Sequence, residues 1–167
     1  MKELLISIVT PTKNESQNIE KLSFEIQKIF ESLKINYEHI IIDNASTDGT
    51  DKIIKKLAEQ NSNIKLILNE SDYGQIRSPF YGMLQTSGDA VIMMTSDFQT
   101  PIEVIPELIR KWRNKKYKVI FTKRVSSNES YLLKKMRITY YIFLRKISKL
   151  NLESNITGEG IYDRDVI

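Results

Sequence analysis

Three short polar loops hold the side chains best suited to chemistry, and each follows an apolar run. The run Ala90–Met94 leads into Thr95-Ser96-Asp97-Phe98-Gln99-Thr100-Pro101. Asp97 and Gln99 are two residues apart, so in an extended segment both point to one side. A carboxylate and an amide oxygen there could hold Mg2+ or Mn2+ against a diphosphate, because such cations need few protein ligands when phosphates supply the rest. The metal would stabilise charge on a departing nucleoside diphosphate. The plainer reading is structural: Asp97 and Thr100 could cap a helix beginning near Pro101.

The run Ile40–Ile42 ends in Asp43-Asn44-Ala45-Ser46-Thr47-Asp48-Gly49-Thr50. Asp43 could accept from a ribose hydroxyl or a base imide, while Ser46, Asp48 and Thr50 read as caps of the next helix. The third loop, Pro11-Thr12-Lys13-Asn14-Glu15, could touch base and ribose through Thr12 and Glu15. Arg77, the Lys123-Arg124 pair and Arg137 are candidate phosphate contacts, since a guanidinium fork matches phosphate oxygens. Each singly also reads as a surface residue. His39, the sole histidine, reads as structural.

Alternating strands and helices must position these loops. Leu4–Thr10 is a β-branched apolar run. Asn14 is placed to cap the next helix, with Gln17 reaching back, and Ile19, Leu22, Ile26, Ile29, Phe30 and Leu33 share one helical face. Tyr37–Asp43 follows as a strand, Asp51–Gln60 as a helix and Asn63–Leu68 as a strand. Gln75–Thr86 reads as a helix that tolerates Pro79 only in its first turn. Ala90–Ser96 is a fourth strand, Pro101 opens a further helix, and Lys118–Thr122 is a fifth strand. The order predicts an α/β fold with a mostly parallel, doubly wound sheet flanked by helices. Continuous apolar strands fit a sheet covered on both faces, and ligands of such sheets bind at the carboxyl ends of strands.

Composition narrows the classes. The 167 residues predict one domain. Residues 1–100 hold 10 Lys/Arg against 14 Asp/Glu, and residues 101–167 hold 15 against 7, so the second half is strongly basic. Basic Leu132–Leu150 carries Leu133, Met136, Tyr140, Phe143, Ile147 and Leu150 on one helical face. It reads either as a helix packed on the sheet or as one lying in a membrane interface. The chain has no cysteine, which excludes disulfides and thiolate metal sites and fits a reducing cytosolic location. No run of about 18 apolar residues predicts a membrane span, and Met1-Lys2-Glu3 opens no secretory pattern. No Walker-type glycine loop or Gly-x-Ser-x-Gly elbow is present. The basic residues are mostly lysines without a nucleic-acid motif, so nucleic acid is not expected as a partner. The stop at Ile167, just after the strand-like Gly160–Arg164, predicts a fragment or a naturally shortened chain.

In order along the chain, Ile8-Val9-Thr10-Pro11-Thr12-Lys13-Asn14-Glu15, Ile42-Asp43 through Thr50, Gly74-Gln75-Ile76-Arg77 with Gly82 and Ser87-Gly88-Asp89, Ser96-Asp97-Phe98-Gln99-Thr100-Pro101, and Thr157-Gly158-Glu159-Gly160-Ile161-Tyr162-Asp163-Arg164 resemble the family 2 glycosyltransferases of the GT-A fold. The chain looks most like the branch that moves a sugar from a nucleotide sugar to a polyprenyl phosphate. The resemblance implies inverting transfer from a UDP- or GDP-linked sugar to a polyprenyl phosphate or glycan, at the cytosolic membrane face. It implies that Pro11, Thr12, Glu15, Asp43, Arg77 and Ser96 bind the nucleotide and that Asp97 and Gln99 hold Mg2+ or Mn2+. Asp97, Arg124 and Arg137 would serve the reacting diphosphate. A phosphate acceptor is already an anion, so no strong general base is required. It also implies a single GT-A domain with a nucleotide and metal half (1–100) and an incomplete acceptor-side half (101–167), and peripheral membrane contact through Leu132–Leu150.

The chain departs from the family pattern at four positions. Thr95 stands where the first aspartate of Asp-x-Asp usually sits, Thr100 and Ile102 replace an Asp and a second Pro, and Glu159 stands where an aromatic is common. The alternative is a weakened GT-A domain that binds only nucleotide or a partner protein. A second copy of the chain is a further candidate partner, one that could cover the end of the sheet.

Overall fold

The computed structural model describes residues 3–123, 135, 136, 139, 140, 147 and 156–167. The chain divides into two compact units, Met1–Ile120 with Glu159–Ile167, and Phe121–Gly158. Among the described residues, six strands and four helices follow in order: β1 (Leu5–Thr12), α1 (Ile19–Leu33), β2 (Asn36–Asp43), α2 (Thr50–Gln60), β3 (Ile64–Leu68), α3 (Gly74–Leu84), β4 (Ala90–Met93), α4 (Ile105–Arg113), β5 (Val119–Lys123) and β6 (Ile156–Asp163). The expected helix at Leu132–Leu150 lies largely outside the described residues. None of the described helices is long and apolar enough to cross a membrane.

The strands form one sheet in the order β3-β2-β1-β4-β6-β5. β1 pairs in parallel with β2 and β4, β2 pairs in parallel with β3, and β4 pairs antiparallel with β6. From β1 the chain winds outward through β2 and β3, then returns to β4 on the other side of β1. This reversal makes the carboxyl ends of β1 and β4 the crevice where open sheets bind ligands.

Side-chain alternation sends successive strand residues to opposite faces. Ile6, Ile8, Ile41 and Ile92 join the core packed by Ile19, Leu22, Ile26 and Phe30 of α1, Ile54 of α2, and Ile105, Leu108 and Ile109 of α4. Val9, Ile40, Ile42, Val91 and Met93 point the other way and meet Met83 of α3. Each fully buried isoleucine contributes roughly 1.5–3 kcal/mol of burial energy, so the strands that end in the polar loops are also the most firmly held.

Three local expectations give way to tertiary contacts. Asn14 does not cap α1, which begins at Ile19 with Asn18 at its N-cap. Asn14 instead takes a left-handed backbone (φ 56°), and its Oδ1 accepts from the Thr47 N–H at 2.9 Å. Pro79 lies inside α3 and not in its first turn. The nearby Gly82 explains how this helix packs: a Cβ there would overlap Ile42 Cδ1 and fall 2.9 Å from Val9 Cγ1. Close approach to the sheet fixes α3 despite the proline. The helix after Pro101 starts as a 3-10 turn, Ile102–Val104, and neither Asp97 nor Thr100 caps it.

Candidate functional site

The carboxyl ends of β1, β2 and β4 bring the three polar loops together. Thr12 is paired in register with Asp43, and the Asn44 N–H donates to the Thr12 carbonyl at 2.9 Å. From the other side, Ser96 Oγ lies 3.3 Å from Thr12 Oγ1 and 3.5 Å from the Pro11 carbonyl. Pro11, Thr12, Asp43 and Ser96 are thus neighbours at the switch point of the sheet. Thr12, Asp43 and Ser96 are buried.

Asp43 stands apart from the others. It is 2% exposed. Its Oδ2 accepts from the Ser46 N–H at 3.0 Å, while Oδ1 has no hydrogen-bond partner among the described residues. A buried carboxylate oxygen without a donor costs free energy that a structural role does not return. Asp43 stands at the carboxyl end of β2, the end at which open sheets of this kind bind ligands.

The first two loops are laced to each other. The Ser46 hydroxyl accepts from the Asn14 N–H at 2.8 Å, and the Thr50 hydroxyl accepts from the Glu15 N–H at 3.0 Å. Asp48 accepts from the Ser16 N–H and from the Thr50 N–H and hydroxyl. The hydroxyl of Thr50 and the N–H of Ser16 hold its carboxyl well below the usual carboxylate range. Gly49 holds the N-cap position of α2; the Asp48 carboxylate, one residue earlier, takes the first-turn N–H of Thr50, as expected of a cap, while Ser46 and Thr50 tie the two loops together. The Glu15 carboxylate accepts from the Asn18 side-chain amide at 2.7 Å, which places Glu15 at the loop but engaged locally.

A third segment, before α3, closes over the same loops. Asp72 accepts from the Lys13 ammonium, the Asn44 amide and the Gly74 N–H. The hydrogen bond from Lys13 leads the causes that hold its carboxyl low. Asn44 Oδ1 accepts in turn from the Asn69 amide and the Tyr73 N–H. Sequence reasoning missed Asn44 and Asp72. Asn44 follows Asp43 directly, but the Asp72 contact spans 28 residues and carries no local signal.

At the β4 end, the segment after Met94 turns and is not extended. Phe98 has a left-handed backbone (φ 54°), and Asp97 Oδ1 accepts from the Gln99 N–H at 3.1 Å. The expectation that Asp97 and Gln99 project together from an extended strand therefore lacks its premise. Asn14, Ala45 and Phe98 put one left-handed non-glycine residue in each of the three loops, and such strain collects where ligands are held. Asp97 is exposed, and its Oδ2 has no hydrogen bond among the described residues. No group of three His, Cys, Asp or Glu side chains suited to a metal occurs among the described residues. Asp97 fits a cation that takes one protein carboxylate and draws its other ligands from phosphates and water. Arg77 is exposed on α3, with no hydrogen bond or ion pair to the site among the described residues. Arg124 and Arg137 lie outside the described residues.

His39 is fully buried in β2, with Nε2 2.9 Å from Thr10 Oγ1. Desolvation lowers its pKa to about 3, so it is a neutral core residue and no general base. At the far end of the sheet, burial would raise the Glu38 pKa. Lys65 and hydrogen bonds from Ser7 and Ser87 outweigh that effect and hold it at about 2.

The site can be set beside known proteins. A bactoprenol glucosyl transferase from Shigella phage SfX is 32% identical over 163 residues, which are 97% of this chain and 53% of that protein. An undecaprenyl-phosphate 4-deoxy-4-formamido-L-arabinose transferase from Proteus mirabilis is 34% identical over 131 residues, 77% of this chain and 40% of that protein. The chain spans about half the length of the curated relatives it matches. Among solved structures, Mycobacterium tuberculosis glucosyl-3-phosphoglycerate synthase, crystallised with Mn2+, UDP and glucosyl-3-phosphoglycerate, matches with a TM-score of 0.65 and 20% identity over 98% of this chain and 58% of that one. That likeness bears out the GT-A sheet expected from the sequence. The polar loops lie at the ligand end of such a sheet, and the model of glycosyl transferase family 2 matches residues 7–167, so the chain belongs to that family.

Proposed function

We propose that this chain is the nucleotide-sugar-binding part of an inverting glycosyltransferase that moves a sugar from UDP or GDP to a polyprenyl phosphate. The observation that carries the reading is the buried, half-satisfied carboxylate of Asp43 beside Thr12 and Ser96 at the switch point. Asp43 Oδ1 accepts from the ribose or base, Pro11 and Thr12 line the base, and Glu15 and Ser96 border the nucleoside. Arg77 reaches the phosphates. Asp97 holds Mg2+ or Mn2+, with Gln99 acting on it through the N–H that Asp97 Oδ1 accepts, and the metal when bound supplies electrostatic stabilisation of the leaving diphosphate. Arg124 and Arg137 hold phosphates near the transferred sugar.

The acceptor follows from charge. A polyprenyl phosphate is an anion at neutral pH and needs no proton removed by a strong base, which agrees with a single, neutral histidine. Two relatives carry bactoprenol and undecaprenyl phosphate in their names. The basic 101–167 half forms the acceptor side, and Leu132–Leu150 gathers the lipid at the cytosolic membrane face. The second reading, a domain that binds nucleotide without turnover, is favoured by Thr95 in place of a carboxylate.

The test incubates the full chain with UDP- or GDP-linked sugars, labelled in the sugar, and undecaprenyl phosphate in detergent. Label moving to the organic phase with one donor, and not when undecaprenol replaces its phosphate, supports transfer. Nucleotide binding with no lipid-linked label supports the second reading.

A further inference from the structure

Glu159 lies on β6, yet its carboxylate sits under the Asp97 loop. It is 4% exposed. Its Oε1 accepts from the Thr95 N–H at 2.9 Å and lies 2.5 Å from the Thr95 hydroxyl oxygen. Its Oε2 accepts from the Thr100 hydroxyl. One side chain therefore ties both ends of the Thr95–Thr100 loop to a strand some 60 residues away. Desolvating a carboxylate is costly, and an apolar residue would fill this position more cheaply.

The Thr95 hydroxyl is contested. Its oxygen is also 2.8 Å from Asp97 Oδ1. It has one proton and two carboxylate acceptors. With the proton on the Glu159 side, the Thr95 lone pairs face Asp97 Oδ1. Two facing oxygens at that separation suit a hard cation, whose ligands at about 2.1 Å lie roughly 3 Å from each other.

We propose that Glu159 is a positioning residue of the cation loop: it takes the Thr95 proton, anchors Thr100, and so presents the Thr95 oxygen beside Asp97. The Thr95–Glu159 pair then stands in for a second loop carboxylate. This rests on the metal-diphosphate reading of the site given above.

The test uses the full chain and the variants Glu159→Gln, Thr95→Val and Thr95→Ser. UDP and GDP affinity is measured by calorimetry with and without Mn2+, and bound Mn2+ is followed by its paramagnetic resonance signal. Loss of partners behind a metal ligand lowers metal affinity about 10–100-fold. Glu159→Gln and Thr95→Val should reduce the Mn2+ enhancement by about that factor, with metal-free nucleotide affinity within about twofold of wild type. Thr95→Ser, which keeps the hydroxyl, should retain the enhancement. Wild-type enhancement in Glu159→Gln, or equal loss in Thr95→Ser and Thr95→Val, overturns the role. So does a loss of metal-free binding as large as the loss of enhancement, which marks Glu159 as merely structural. If Glu159→Gln does not fold, the Thr95 pair of variants carries the same decision. A wild-type chain that binds nucleotide but ignores Mn2+ overturns the metal reading itself, and one that binds no nucleotide overturns the whole proposed function.

Discussion

Replacing Asp43 with asparagine should weaken nucleotide binding without weakening the fold. Asp43 Oδ2 accepts from the Ser46 N–H, and the amide oxygen of the introduced asparagine can accept that bond in the variant. Oδ1 is buried without a partner among the described residues, so removing the charge relieves a desolvation penalty in the ligand-free chain. The bond lost to the ligand is charge-assisted and worth about 1.5–3 kcal/mol. Taking about 2 kcal/mol, the dissociation constant rises about 30-fold. The assay is chemical denaturation with and without UDP or GDP, whichever binds. At about 100 times the wild-type dissociation constant, ligand stabilises the wild type by about 2.7 kcal/mol and should stabilise the variant by only about 0.9. Ligand-free stability should be equal or higher. A variant that loses about 2 kcal/mol without ligand and keeps the full ligand increment would refute the reasoning and make Asp43 a loop brace.

Other predictions come from the scaffold. His39 has a folded pKa of about 3 against an ordinary 6.5, so between those values only the unfolded chain takes up the proton. Stability should fall as pH falls through that window, by about 1.4 kcal/mol per unit at most, and denaturation at about pH 7 and pH 5 in wild type and His39→Gln should show the variant losing less. Glu38, held at about 2, adds a second loss as pH drops from about 4.5 towards 2. Gly82→Ala places a methyl against Ile42 and Val9 and should cost about 1–3 kcal/mol, read from urea midpoints. Ala45→Gly removes a left-handed alanine (φ 58°) and should stabilise the chain by about 0.5–1 kcal/mol, visible as a higher melting temperature.

The alternation of strands and helices was legible because each strand is a continuous apolar run and each helix carries an apolar stripe. Ile40–Ile42 and Ala90–Met93 announce buried parallel strands, and the polar residues that follow them mark the ligand end. Thr12 and Asp43 were found this way, Pro11 and Ser96 came with the family resemblance, and the four do converge. What escaped depends on contacts distant in sequence. Asn14 looks like a cap until Thr47 claims its side chain. Pro79 looks like a first-turn residue until Gly82 seats the helix on the sheet. Glu159 stood out only as a departure from an aromatic in the family pattern, because Thr95 and Thr100, which donate to it, lie on another loop. Asp97 and Gln99 were read on an extended segment, which the left-handed Phe98 turns aside.

The most direct test of the account is a titration of the full chain with UDP and GDP, with and without Mn2+, in wild type and Asp97→Ala. One nucleotide should bind, Mn2+ should tighten its binding in the wild type, and Asp97→Ala should remove the tightening but leave metal-free binding. Binding of neither nucleotide, or Mn2+ enhancement that survives in Asp97→Ala, would contradict it.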